Sequence, residues 1–98
     1  MNEQYQEMCV AMLKVDLGIT TNAYEDRLNS IVIAAVQAIT AEGVSTFDQT
    51  DALDRQLVVM YASWLWSKRR TGEGMPRMLR YALNNRVFSE KMAGEANG

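Results

Sequence analysis

A chain of 98 residues, 48% apolar and 22% charged, has room for one globular domain and is too hydrophobic to be disordered. It has no His, which removes the usual general base near neutral pH and the commonest metal ligand, and its single Cys excludes an intrachain disulfide. The net charge of −2 conceals a split: residues 1–54 hold nine Asp/Glu against two Lys/Arg, and residues 55–98 three against eight.

Taken in chain order, the apolar periodicity predicts four helices. The first runs from about Asn2 to Leu17, where Tyr5, Met8 or Cys9, Met12, Leu13 and Leu17 recur at three- and four-residue steps. Gly18 suits the left-handed residue that ends a helix, and Ile19 can then fold back on Leu13. After Thr20 and Thr21, Asn22 is a good N-cap, with Glu25 where a capping box places its acid. The second helix is predicted from Ala23 to about Glu42, with Gly43 as its stop. Leu28, Ile31, Val32, Ala35, Val36 and Ile39 mark its core face, and Ala34, Ala38 and Ala41 a second side that another helix can approach closely.

Residues 43–50 read as a connection, with Phe47 as an apolar pin to the core. Asp48, Thr50 or Asp51 caps a third helix from about Ala52 to Arg69, and Asp51 and Asp54 suit its positive end. The stretch from Leu57 to Trp66 carries no charge. One stripe of Leu53, Leu57, Met60, Tyr61 and Trp64 would suffice for a bundle, and Val58, Val59, Leu65 and Trp66 fill the remaining sides, which predicts burial nearly all round. After a glycine turn, Pro76 is expected at the first position of a fourth helix. That helix carries Met78, Leu79, Tyr81 or Ala82, Leu83, Val87 and Phe88 to about Met92. The expected fold class is therefore all-α, a small bundle of about four helices with two long central ones. Residues 1–93 form the domain, and 94–98 a flexible tail.

The chain lacks the motifs of an enzyme. Gly72 and Gly74 are not followed by the Lys-Ser/Thr of a phosphate-binding loop. Cys9 sits on a helical apolar stripe and reads as core filler rather than a nucleophile. Carboxylate pairs such as Glu25/Asp26 and Asp51/Asp54 lie near helix starts, where the helix dipole accounts for them. No catalytic residue, metal ligand or cofactor is expected. The first eight residues carry two Glu and no basic run, so no secretory leader is expected, and no uncharged stretch is long enough to cross a bilayer. These features read as a cytoplasmic protein.

Assembly with other macromolecules is the expected role. Trp64 and Trp66 point roughly 200° apart on a helix, so one core cannot take both. Trp66 should face another helix or another subunit, unless the local loop half-covers it. Lys68, Arg69, Arg70, Arg77, Arg80 and Arg86 form a basic set around the third-helix exit and the fourth helix. Such a set could meet phosphates of DNA or an acidic face of a second copy built from Glu25, Asp26 and Asp48. No helix presents base-reading side chains at consecutive turns, so sequence-specific DNA recognition has little support.

The segments Leu13-Lys14-x-x-Leu17-Gly18-Ile19, Met60-Tyr61-x-x-Trp64 closing on Lys68-Arg69-Arg70, and Pro76-Arg77-Met78-Leu79-Arg80-Tyr81-x-Leu83-Asn84 leading to Val87-Phe88 stand in this order. Together with the Ile/Ala-rich helix between them, they span residues from about 8 to 90. Their order and spacing resemble the head–tail connector (adaptor, head-completion or DNA-packaging) proteins of tailed bacteriophages. One stretch departs from that pattern: Ile39-Thr40-Ala41-Glu42-Gly43 stands where an aromatic-Thr-Gly-Arg-like segment is expected. The resemblance implies a homo-oligomeric ring that docks on the portal protein and joins the DNA-filled head to the next connector or tail protein. It also implies non-specific contact with passing DNA, a place in the virion, and assembly in the bacterial host cytoplasm. The alternative expectation is a small DNA-binding packaging or regulatory protein.

Overall fold

Helix α1, Glu3–Leu17, buries Tyr5, Cys9, Val10 and Leu13 along one side. The computed structural model to which it belongs describes residues 3–97, and the side chains of all of these except 69 and 95–97. At the end of α1 the Gly18 amide donates to the Val15 carbonyl and the Ile19 amide to that of Lys14 (2.9 Å). Gly18 at φ +69° supplies the left-handed turn this termination requires.

Helix α2, Glu25–Ala41, begins later than the periodicity predicts. Tyr24 holds the capping position and no side chain caps the helix. The expected capping box does not form because both of its members are turned to Lys14. The Lys14 ammonium donates to Asn22 Oδ1 (3.0 Å) and to Glu25 Oε1 (2.8 Å). The core face is as expected at Leu28, Ile31, Val32, Ala35 and Ile39, all buried. Of the small residues on the second side, Ala34 and Ala41 are exposed and Ala38 is half-buried. The connection is pinned chiefly by Val44, which is fully buried, with Phe47 half-buried beside it.

Helix α3, Ala52–Thr71, is capped by Asp51, whose side chain accepts from the Leu53 amide (2.8 Å). It ends on Gly72 at φ +68°, whose amide donates to the Lys68 carbonyl. It is the centre of the bundle and packs on all three other helices. Leu57, Val58, Val59, Tyr61 and Ala62 are buried, and Met60, Trp64, Leu65 and Trp66 partly so. Leu53 departs from the predicted stripe. In the first turn of α3 it reaches beyond the core and stays 73% exposed.

Helix α4, Arg77–Asn97, starts one residue after the predicted position, with the Pro76 carbonyl accepting from the Arg80 amide. It continues past Met92 and through Gly94 to Asn97, where the sequence suggests a tail; residue 98 lies outside the described residues, as does Asn2. Leu79 and Leu83 enter the core, with Ala82 and Val87 beside them. The expected positions Met78 and Phe88 do not, and of the pair Tyr81 or Ala82 it is Ala82 that packs on the core while Tyr81 faces out. At 76%, 58% and 64%, Met78, Tyr81 and Phe88 are exposed, because α4 packs chiefly on α3 and has a neighbour on one side only. The result is an all-α bundle of four helices around one core, with no strand among the described residues.

Candidate interaction surface

Arg86 of α4 organises the junction between α3, α4 and the 44–51 connection. Its Nε donates to Asp54 Oδ1 (2.7 Å) and Nη2 to Asp54 Oδ2 (3.3 Å), so the guanidinium meets the carboxylate side-on. Nη2 also donates to the Thr46 carbonyl (2.6 Å) and Nη1 to Glu90 Oε2 (3.1 Å). Glu90 in turn accepts from the Ser45 amide (2.9 Å), the Ser45 hydroxyl and the Thr46 hydroxyl (3.0 Å). The Ser45 hydroxyl bond, followed by the amide and Thr46 bonds, holds the Glu90 carboxyl down at about 2. Asp54 Oδ2 closes the set by accepting from the Asp48 amide. Nothing in the periodicity points to this clasp except the four-residue spacing of Arg86 and Glu90.

The residues singled out by the sequence are distributed as follows. Arg86 is committed inside the chain and so stands apart from the basic set. Arg80 pairs with Glu42 at 3.4 Å across exposed surface, a pairing worth little. The Lys68 ammonium lies over the Trp64 ring, 4.7 Å from its centroid. Arg70 and Arg77 are exposed and make no ion pair among the described residues, and the Arg69 side chain lies outside those residues. Among the acids, Glu25 is taken by Lys14, Asp26 is exposed, and Asp48 caps its own turn by accepting from the Thr50 amide and hydroxyl. Those Thr50 hydrogen bonds, the hydroxyl's first, hold the Asp48 carboxyl below the ordinary range. Trp66 is half-buried against α2 and the residue before it. Tyr24 meets it edge-on at 5.6 Å, and the Arg27 guanidinium stacks over its ring at 5.5 Å.

Four of the exposed large hydrophobic side chains lie on α4. Met78, Tyr81, Phe88 and Met92, with Asn85 between them, line one side of the helix opposite the buried Leu79 and Leu83 and the half-buried Val87. Beside this stripe an open groove of about 640 Å³ runs between α3 and α4, lined by Leu53, Met60, Ala82, Asn85 and Ala93 among others. A second stripe lies on α1, where Met8, Ala11 and Val15 are exposed. Such surfaces are what a partner covers.

Cys9 is fully buried and its thiol is pushed up by that burial. Burial likewise raises the neighbouring Tyr5 hydroxyl. Among the described residues no three His, Cys, Asp or Glu gather in a way that could hold a metal, and no helix is long and apolar enough to cross a membrane. No known family model, curated protein or solved structure matches the chain.

Proposed function

We propose that the chain is a structural assembly protein, a head–tail connector of a tailed phage or prophage. In this reading its copies form a ring on the portal protein, and the ring joins the DNA-filled head to the next connector or tail protein in the virion. The observation that carries the reading is surplus apolar surface in two places. The α1 and α4 stripes lie on different helices, so one copy can offer one face and receive the other, as a ring requires. The order and spacing of the segments between residues 8 and 90, which resemble those of connector proteins, support the connector part of the reading. The test is to mix the purified chain with the portal protein of the phage or prophage that encodes it and image the product in negative stain. Rings stacked coaxially on the portal are expected; a portal that stays bare at saturating chain contradicts the proposal.

One observation favours a second reading. Lys68, Arg70 and Arg77 are exposed on either side of the α3–α4 turn, where a phosphate backbone could reach them. If they bind DNA, Arg77→Glu together with Arg80→Glu lowers the salt slope of DNA binding by about one per lost phosphate contact and leaves oligomers intact.

A further inference from the structure

The two exposed stripes match each other in length, spacing and charge. On α4 the side chains at 78, 81, 85, 88 and 92 alternate steps of three and four, the spacing of a coiled-coil seam. On α1, Gln4, Met8, Ala11 and Val15 follow the same rule, and all four are exposed. At about 1.5 Å per residue the stripes run roughly 21 and 17 Å. Both helices pack on α3, and the two stripes remain open.

Charge selects how they can be covered. At about 100° per residue, Arg77 and Lys91 flank the α4 stripe on one side, and both are exposed. Glu3 and Glu7, also exposed, flank the α1 stripe on the side of the same hand. Lys14 shares that flank but is held by Glu25 and Asn22. When two helices pack face to face and antiparallel, flanks of the same hand meet. Antiparallel pairing of α4 with α4 would then set Arg77 of each copy near Lys91 of the other, base against base. With Asn85 opposite Ala11, pairing α4 with α1 sets Lys91 between Glu3 and Glu7 and leaves Arg77 beyond the last turn of α1. A parallel arrangement would offer Arg77 and Lys91 only Asp16 on the other flank of α1.

We infer that the α4 stripe of one copy docks antiparallel on the α1 stripe of a second copy, with Phe88 against Met8, Asn85 against Ala11 and Tyr81 against Val15, and with Lys91 beside Glu3 and Glu7. This inference rests on the ring reading above and names the faces that would build it. The contact is heterologous, so every copy donates one face and receives the other, and the pairing propagates until it closes.

Cysteine cross-linking tests the pairing with two variants in a Cys9→Ala background. One carries Ala11→Cys and the other Asn85→Cys, both at exposed positions near the centres of the stripes. On oxidation of an equimolar mixture, the mixed Ala11→Cys/Asn85→Cys disulfide is expected to exceed both homodimers. A chain carrying both cysteines is expected to give a ladder of covalent multimers. Lys91→Glu on the Asn85→Cys chain should reduce the mixed product, and Glu3→Lys with Glu7→Lys on the other should restore it. A statistical mixture, or a dominant Asn85→Cys homodimer, overturns the inference. Light scattering separates the two levels. Association without the mixed link sinks only the choice of faces, whereas no association, alone or with portal present, sinks the ring reading itself.

Discussion

Arg86 and Asp54 meet across α4 and α3 through two nitrogen–oxygen contacts, at 2.7 and 3.3 Å, with only 20% and 4% of their side chains exposed. An ion pair removed from water this far is costly to break on one side, because the remaining charge is left desolvated. Asp54→Asn or Arg86→Met alone should therefore lower unfolding stability by about 2–4 kcal/mol. The double change Asp54→Asn/Arg86→Met should cost less than the sum of the two. Arg86→Lys should recover only part of the loss, since an ammonium cannot span both carboxylate oxygens. Urea titrations of the five proteins check this, and additive losses would show that the pair does not act as a unit.

Glu90 gives the clasp a pH dependence. Its carboxyl titrates at about 2 in the folded chain, below the ordinary Glu value of about 4.3. A depressed folded value means that the stability it contributes is present above the unfolded pKa and is lost as pH falls from there toward 2. Wild type should thus exceed Glu90→Gln in melting temperature at pH 7, and the gap should close between roughly pH 4.5 and 2. A gap unchanged over that window would mean that the Ser45 and Thr46 bonds do not depend on the charge.

The contrast between inner and outer leucines is equally measurable. Leu28 is fully buried and Leu53 is 73% exposed. Leu28→Ala should cost about 2–5 kcal/mol through lost burial and a cavity, whereas Leu53→Ala should stay within about 0.5 kcal/mol. Chemical denaturation of the two variants distinguishes them, and equal losses would place Leu53 in the core after all.

Much of the fold is legible in the residue pattern. The glycines at 18, 43 and 72 mark the helix ends and take positive φ, and the Leu28–Ile39 face is buried as its spacing predicts. What the pattern misses depends on neighbours distant in sequence. Asn22 and Glu25 have the chemistry of a capping box, but Lys14 from the preceding helix claims both. Helix α4 carries two apolar sides, Leu79/Leu83/Val87 and Met78/Tyr81/Phe88/Met92, and periodicity alone cannot say which one α3 will cover. The misassigned side is the candidate interaction surface, so the same residues that mislead a core prediction point to a partner. Trp66, expected to face another helix or another subunit, meets another helix: Arg27 of α2, with Tyr24 just before it.

The central claim is that this bundle works by assembling through surfaces it leaves open, and Phe88 tests it most directly. Its side chain is 64% exposed, so Phe88→Ser should leave the melting temperature almost unchanged. Light scattering over a concentration series, with and without the portal protein, should show wild type forming multiples of its 11.1 kDa subunit and Phe88→Ser remaining a monomer. A Phe88→Ser chain that assembles as wild type does, or a wild-type chain that stays monomeric even with portal present, would contradict the account.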